Sequence, residues 1–137
     1  MNILLVDDSK VTTMIIGEII RKKEGDFKLT VLTDGEKAMD FLYQNGPYQH
    51  AEPPELIILD LNLPKKNGFE VLSEIKHDKK LKKIKVVMFT SSEQEFDKYN
   101  AMKLGATDFF VKPYDYAQYE KIIDRFITVA EKTAKDS

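Results

Sequence analysis

The sequence predicts an α/β fold, in which an open and mainly parallel five-stranded sheet carries helices on both faces. Short apolar runs alternate along the chain with longer segments whose apolar residues recur at helical spacing. The runs at 56–59 and 86–89 have no polar face, as expected for strands that are buried on both sides. Polar residues follow several of these runs directly. Such alternation is typical of parallel sheets with helical crossovers.

The first half of the chain predicts two strands and two helices. Residues 3–6 form a buried strand, and residues 27–33 alternate in part, like an edge strand. Ser9 caps the first helix, which ends near Gly25. Its inward residues are predicted to be Val11, Met14, Ile15 and Ile19. Asp34–Gly35 begins a short second helix, and a loop from Asn45 to Pro54 follows.

The second half predicts three more strands, each followed by a helix. The strands are expected at 56–59, 86–89 and 109–111, and the helices from residue 68, over 93–104 and from residue 116. Each helix is expected to bury an apolar stripe on the sheet. We therefore expect one domain over residues 1–137, with a polar tail from about residue 133 and no output domain.

The composition limits the classes of function. Of the 137 residues, 42% are apolar and 32% charged, which is ordinary for a globular protein. The net charge of -2 offers no general attraction for nucleic acid or anionic membranes, and the absence of cysteine excludes disulfides and thiolate metal sites. No apolar segment is long enough to span a bilayer or resembles a targeting signal. We expect a cytoplasmic protein without nucleic-acid or membrane partners.

Ligands of open parallel sheets bind beyond the carboxyl ends of the strands. Those ends carry Asp7 and Asp8, Asp60, Thr90 and Lys112. Three neighbouring carboxylates repel one another, and one lysine leaves a charge of -2 that a divalent cation would neutralise. Mg²⁺ suits such oxygen ligands best, and Mn²⁺ can substitute for it. Asp60 is the candidate nucleophile for an aspartyl-phosphate, whose oxygens Thr90 and Lys112 can contact.

Four motifs make the sequence resemble the receiver domain of two-component response regulators. They are Val6–Ser9, Leu59–Pro64 with Gly68, Phe89–Ser92 and Val111–Pro113. The resemblance covers nearly the whole chain and implies a flavodoxin-like three-layer α/β/α sandwich with strand order 2-1-3-4-5 and five helices. Together with the loop at 45–54, it implies a stand-alone regulator similar to those paired with bacterial phytochromes.

The resemblance also implies roles for the residues at the strand ends. The phosphohistidine of a sensor histidine kinase would donate to Asp60 in a Mg²⁺-dependent reaction. The implied metal ligands are Asp7, Asp8, Asp60 and the backbone carbonyl of Asn62. Thr90 and Lys112 would bind the phosphoryl oxygens, and the Lys112–Pro113 peptide bond would be cis.

The same resemblance makes Thr90 and Phe109 the switch residues. Thr90 would move toward the phosphoryl group, and the Phe109 ring would rotate inward into the vacated space. The surface of the fourth helix, fifth strand and fifth helix would then repack and bind a downstream protein or a second copy of the chain. On this interpretation the protein is not an enzyme, because it transfers and hydrolyses only its own phosphoryl group.

Three alternatives remain. A haloacid-dehalogenase-type phosphatase also uses an aspartate nucleophile, but Asn62 stands where a second aspartate is expected, and the acids Asp7 and Asp8 come too early in the chain. A flavodoxin would need a phosphate-binding loop where the two acids stand. A docking module that works without phosphorylation is the third.

Overall fold

The computed structural model describes the backbone of residues 1–136 and the side chains of residues 1–132. The strands are β1 (Asn2–Val6), β2 (Lys28–Leu32), β3 (Leu56–Leu59), β4 (Lys85–Thr90) and β5 (Asp108–Val111). The helices are α1 (Lys10–Lys22), α2 (Gly35–Leu42), α3 (Gly68–His77), α4 (Glu95–Lys103) and α5 (Tyr116–Asp136), with a 3₁₀ helix at Gly46–Tyr48. The polar tail predicted from about residue 133 lies outside the described side chains and stays a prediction.

All five strands are parallel, and their order is β2-β1-β3-β4-β5, which confirms the predicted topology. Val6 pairs with Leu59, Leu59 pairs with Met88, and Thr90 pairs with Val111. Since parallel strands all end at the same edge of a sheet, this register brings the polar residues after β1, β3, β4 and β5 together.

The helices form two layers, one on each face of the sheet, as predicted. One core cluster joins α1 and α5 to the sheet, and the other joins α2, α3 and α4 to its opposite face. All four residues of β3 are buried, which confirms a central strand without a polar face. None of the helices within the described residues has both the length and the apolar composition that crossing a bilayer requires.

The inward face predicted for α1 is correct for Ile19, which is buried, and for Ile15, which is partly buried against the core, but it is wrong for Val11 and Met14. The Ser9 hydroxyl caps the helix by accepting from the Thr12 amide at 3.2 Å, as expected. Val11 and Met14 nevertheless point outward, with 66% and 73% of their surface exposed. The buried stripe consists of Thr12, Ile16, Ile19 and Ile20. It begins at a threonine, which a search for apolar residues passes over, and the face is therefore rotated from the predicted one.

The apolar stripe predicted for α4 is also absent. Ala101 is its only buried residue, whereas Phe96, Tyr99 and Met102 are 69%, 62% and 42% exposed. Apolar and charged side chains are distributed around the whole circumference of this helix, so no side of it is apolar enough to be buried on the sheet.

Candidate functional site

Three carboxylates meet at the carboxyl end of the sheet. Asp7 and Asp60 follow β1 and β3, which are neighbours, and Asp8 follows Asp7. One carboxylate oxygen of each residue lies within 4.8 Å of the others. Asp7 and Asp60 are 1% and 5% exposed, whereas Asp8 is exposed. The cluster is therefore a buried acidic pair with a third acid on its solvent side.

Lys112 supplies the positive charge of the site. Its Nζ lies 2.9 Å from Asp7 Oδ2 and 3.2 Å from Asp60 Oδ2. Lys112 follows β5, two strands away from β3, a distance of about 9–10 Å at the usual strand spacing. Only a long side chain spans that gap, which explains why a lysine reaches the acids from this strand. One positive charge against three negative charges leaves the cluster at -2.

Burial and neighbouring charges shift the pKa values of Asp7 and Lys112. Burial raises the pKa of Asp7, and the negative charge of Asp60 raises it further. The Lys112 ammonium and the Ser9 amide, which donates to Asp7 Oδ1 at 2.8 Å, lower it in part. Burial alone would lower the pKa of Lys112, but its contacts with Asp7 and Asp60 outweigh burial and raise it. The lysine is thus held charged, while the acids are only partly compensated.

Several oxygen atoms at the site are available to a cation. Asp60 Oδ1 is buried without a hydrogen-bond partner among the described residues, and Asp7 Oδ2 has only the Lys112 ammonium beside it. The backbone carbonyl of Asn62 accepts no hydrogen bond from the described part of the chain. Carboxylate and carbonyl oxygens with a residual charge of -2 fit a hard divalent cation such as Mg²⁺ or Mn²⁺. Asp7, Asp8, Asp60 and Asn62 would hold it.

The backbone of Asp60 is positioned by the start of α3. A Cβ atom at Gly68 would lie 2.2 Å from the Asp60 carbonyl oxygen, so only glycine allows this approach. The Gly68 amide donates to the Leu61 carbonyl at 2.8 Å. Asn67 and Glu70 form a capping box directly beside it. The start of α3 thus fixes the path of the backbone at Asp60, where the chain comes out of β3.

Thr90 lies at the end of β4, beside the strand that carries Asp60, and is fully buried. Its Oγ1 accepts from the Ser92 amide at 3.2 Å, and the Ser92 hydroxyl donates to Asp97 Oδ2 at 2.5 Å. Asp97 belongs to the first turn of α4. These two hydrogen bonds connect the strand end to α4. No sequence motif identifies Asp97, because its role depends on how the loop between β4 and α4 folds.

The Phe109 ring is already inside the core in this structure. It is 7% exposed and belongs to the same cluster as Ala101 and Ala106. The expectation of an inward rotation starts from an outward ring, which is not the position observed here. Phenylalanine has no hydroxyl group that would have to be kept hydrated, so burial of the ring costs no hydrogen bond.

The Lys112–Pro113 peptide bond is trans, so the cis bond expected from the resemblance is wrong. The trans isomer of a bond preceding proline is favoured by about 0.5–1 kcal/mol. From this trans backbone the Lys112 side chain reaches both Asp7 and Asp60.

Comparisons with known proteins identify the relatives of this chain. Residues 3–124 match the family model described as the response regulator receiver domain. The response regulator Rcp1 of Synechocystis sp. is 41% identical over 121 residues, which cover 88% of this chain and 82% of that protein. A crystal structure of the Mn²⁺-bound form of Rcp1 is similar with a TM-score of 0.84 and covers 89% of this chain and 88% of that one. The phosphorylated cyanobacterial phytochrome response regulator RcpA is 38% identical with a TM-score of 0.85, over 89% of this chain and 87% of that one.

Proposed function

This chain belongs to the family of response regulator receiver domains, and we therefore propose that Asp60 is the residue at which it accepts a phosphoryl group. Receiver domains take this group from histidine kinases. The observation that carries the assignment is a buried Asp60 oxygen that has no hydrogen-bond partner among residues 1–132, in a carboxylate whose other oxygen contacts Lys112. Asp60 is thus the candidate nucleophile, and Lys112 orients its carboxylate.

The reaction transfers one phosphoryl group from nitrogen to oxygen. The Asp60 carboxylate attacks the phosphorus of the kinase phosphohistidine, the P–N bond breaks, and its electron pair returns to the imidazole. An acyl phosphate forms on Asp60. The Lys112 ammonium, held between Asp7 and Asp60, stabilises the charge on the transferred oxygens, and the Thr90 hydroxyl donates to one of them.

Mg²⁺, or Mn²⁺ in its place, is the cation that we assign to Asp7, Asp8, Asp60 and the Asn62 carbonyl. When bound, it neutralises the carboxylates and the phosphoryl oxygens. Two observations support the assignment: the carboxylate oxygens lie within 4.8 Å of one another, and the relative Rcp1 was solved in a Mn²⁺-bound form.

The output is a change in protein binding at the α4–β5–α5 face, the outer surface of those three elements. Large apolar side chains are exposed on each of these elements: Phe96, Tyr99 and Met102 on α4, Val111 on β5 and Tyr116 on α5. A phosphoryl group on Asp60 that draws Thr90 toward it would disturb the hydrogen bonds that reach α4 through Ser92 and Asp97. Thr90 and Phe109 are the switch residues of this proposal, and a downstream protein or a second copy of the chain is the partner.

A sensor kinase of the phytochrome type is the donor that the relatives favour, since RcpA is a phytochrome response regulator and resembles this chain over 89% of its length. The protein then modifies only itself and is not an enzyme for other substrates. The phosphatase alternative is not favoured, because the family is that of receiver domains and Asn62 provides no general acid. The cytoplasmic location stays a prediction from the sequence.

Phosphorylation by a small donor tests the assignment. The protein is incubated with Mg²⁺ and acetyl phosphate, and the intact mass is measured. We expect one added phosphoryl group of about 80 Da on the wild type and on the Asp40→Asn control, which changes an exposed acid of α2. We expect none on Asp60→Asn or without Mg²⁺. Labelling that persists in Asp60→Asn, or a wild type that is never labelled, would contradict the proposal.

A further inference from the structure

A shallow cavity of about 630 Å³, widely open to solvent, lies at the amino-terminal end of β3 and β4. Asp60 and Thr90 stand at the opposite ends of these two strands, roughly 15–20 Å away at the usual rise per residue. The cavity volume is within the range of sites that bind small molecules. It is therefore a candidate site that shares no residue with the phosphorylation site.

The walls of this cavity carry an uncompensated positive charge. Four lysines line it: Lys76, Lys82, Lys83 and Lys85. Glu55 is the one acid among its lining residues, and its carboxylate accepts a hydrogen bond from the Asn2 amide at 3.2 Å. Lys82, Lys83 and Lys85 form no ion pair within the described part of the chain. Four lysines and one glutamate give the lining a net charge of +3, and no other carboxylate of the described chain neutralises it.

Lys76 is held in place with a hydrogen-bond donor to spare. Its Nζ donates to the Lys82 carbonyl at 3.0 Å and to the Ile84 carbonyl at 2.9 Å, which uses two of its three donors. Its stem packs against Gly105, where a Cβ atom would lie 3.1 Å from Lys76 Cγ. Burial lowers the pKa of Lys76, and the charge of Lys85 lowers it further. An anion in the cavity would relieve this repulsion and take up the third donor.

The lining indicates the chemistry of the ligand. Lysine ammonium groups bind phosphate as point charges, and two linked phosphates carry about -3, which matches the lining. Ile84 and Ala130 provide a small apolar wall for the organic part of a ligand. The Thr107 hydroxyl, also in the lining, makes no hydrogen bond to another described residue. We propose that this cavity binds a phosphate-bearing organic anion of the nucleoside diphosphate or triphosphate class.

Calorimetric titration of the whole chain with ADP tests the proposal. EDTA is present, so that no divalent cation links the nucleotide to the acidic site. We expect the wild type and Asp60→Asn to bind ADP equally, which separates this inference from the proposed phosphorylation. Pyrophosphate, which lacks the organic part, is expected to bind at least tenfold more weakly.

Two charge-reversal variants locate the site. Lys82→Glu with Lys83→Glu is expected to weaken ADP binding at least tenfold. Lys79→Glu with Lys80→Glu makes the same change in net charge nearby but outside the cavity lining, and is expected to stay within twofold of the wild type. Lys85→Gln, a milder change, is expected to lose three- to fivefold, so that the test does not depend on the stability of a double variant.

Three results would overturn the proposal. They are no detectable ADP binding at millimolar concentration, equal losses in the two charge-reversal variants, and pyrophosphate binding as tight as that of ADP. The first means that no site exists, the second that the attraction is non-specific, and the third that the apolar wall is not used.

Discussion

The two helices that flank β5, α4 and α5, are held to the sheet in different ways. Among the described side chains of α5, the buried ones are Tyr119, Ile123, Phe126, Ile127 and Ala130. Phe89 of β4 packs edge to face against Tyr119 and Phe126, with ring centroids 5.5 and 5.8 Å apart. By contrast, α4 buries only Ala101, and its first turn is tied to the strand end by the polar contact between Ser92 and Asp97.

Because of this difference, α5 is a fixed helix, whereas α4 can move at a low cost in free energy. Displacing α5 would expose several large apolar side chains, at about 1.5–3 kcal/mol for each. Displacing α4 exposes one alanine and breaks a few hydrogen bonds, each worth about 1 kcal/mol in net terms. To reposition α4, a modification at Asp60 needs to shift the equilibrium between two positions of this helix by only a few kcal/mol. A new covalent charge can supply a free energy of that size.

The largest expected effect on the free energy of unfolding comes from removing part of the apolar packing of α5. Phe126→Ala removes a fully buried ring that packs against Phe89 and Phe110. We expect the free energy of unfolding to fall by about 3–5 kcal/mol, measured by urea denaturation. Tyr114→Ala is the control, because Tyr114 is 99% exposed. A loss below about 1 kcal/mol would mean that α5 is not the fixed helix.

An intermediate effect is expected from the polar contact at the start of α4. Asp97→Ala removes the acceptor of the Ser92 hydroxyl and a negative charge from the first turn. We expect amide hydrogen exchange in α4 to accelerate about fivefold, equivalent to about 1 kcal/mol, while exchange in α5 stays unchanged. Glu93→Ala, in the loop that precedes α4, is the control. Equal acceleration in both helices would show a global loss of stability instead.

The smallest effect on folding is expected for Phe96→Ala. Because 69% of this side chain is exposed, we expect the free energy of unfolding to change by less than about 0.5 kcal/mol. If α4 is the output surface, the same variant weakens any phosphorylation-dependent association seen in sedimentation. Met14→Ala on α1, 73% exposed, is the matched control. Unchanged association in Phe96→Ala would place the output elsewhere.

The sequence predicted the parts of the fold that depend on burial along single segments. The central strands β1, β3 and β4 are short runs without a polar face. Because parallel strands end at one edge of the sheet, the sequence alone predicted that Asp7, Asp60 and Lys112 lie close together. The same reasoning failed for part of the α1 face and for α4. Apolar residues mark a buried helix face only if the exposed face is polar, and the exposed faces here carry Met14 and Phe96.

Contacts between segments could not be predicted at this level. The hydrogen bond from Ser92 to Asp97 depends on the path of one loop, and the inward position of Phe109 depends on the space beside Ala101 and Ala106. Neither has a periodic signal. The lysine-rich stretch before β4 was visible in the sequence, but only the fold shows which of its lysines line a cavity together with Lys76.

The close approach at Gly68 has a consequence for building hybrid regulators. Glycines pack closely against both ends of residues 61–67. Gly68 lies against the start of this segment, and a Cβ atom at Gly35 would lie 1.9 Å from the Lys66 carbonyl oxygen near its end. A loop from another receiver domain that replaces residues 61–67 would fit only if glycine is kept at both positions, although Gly35 lies far outside the replaced segment. The unit of exchange is therefore the loop together with Gly68, which follows it directly, and the distant Gly35.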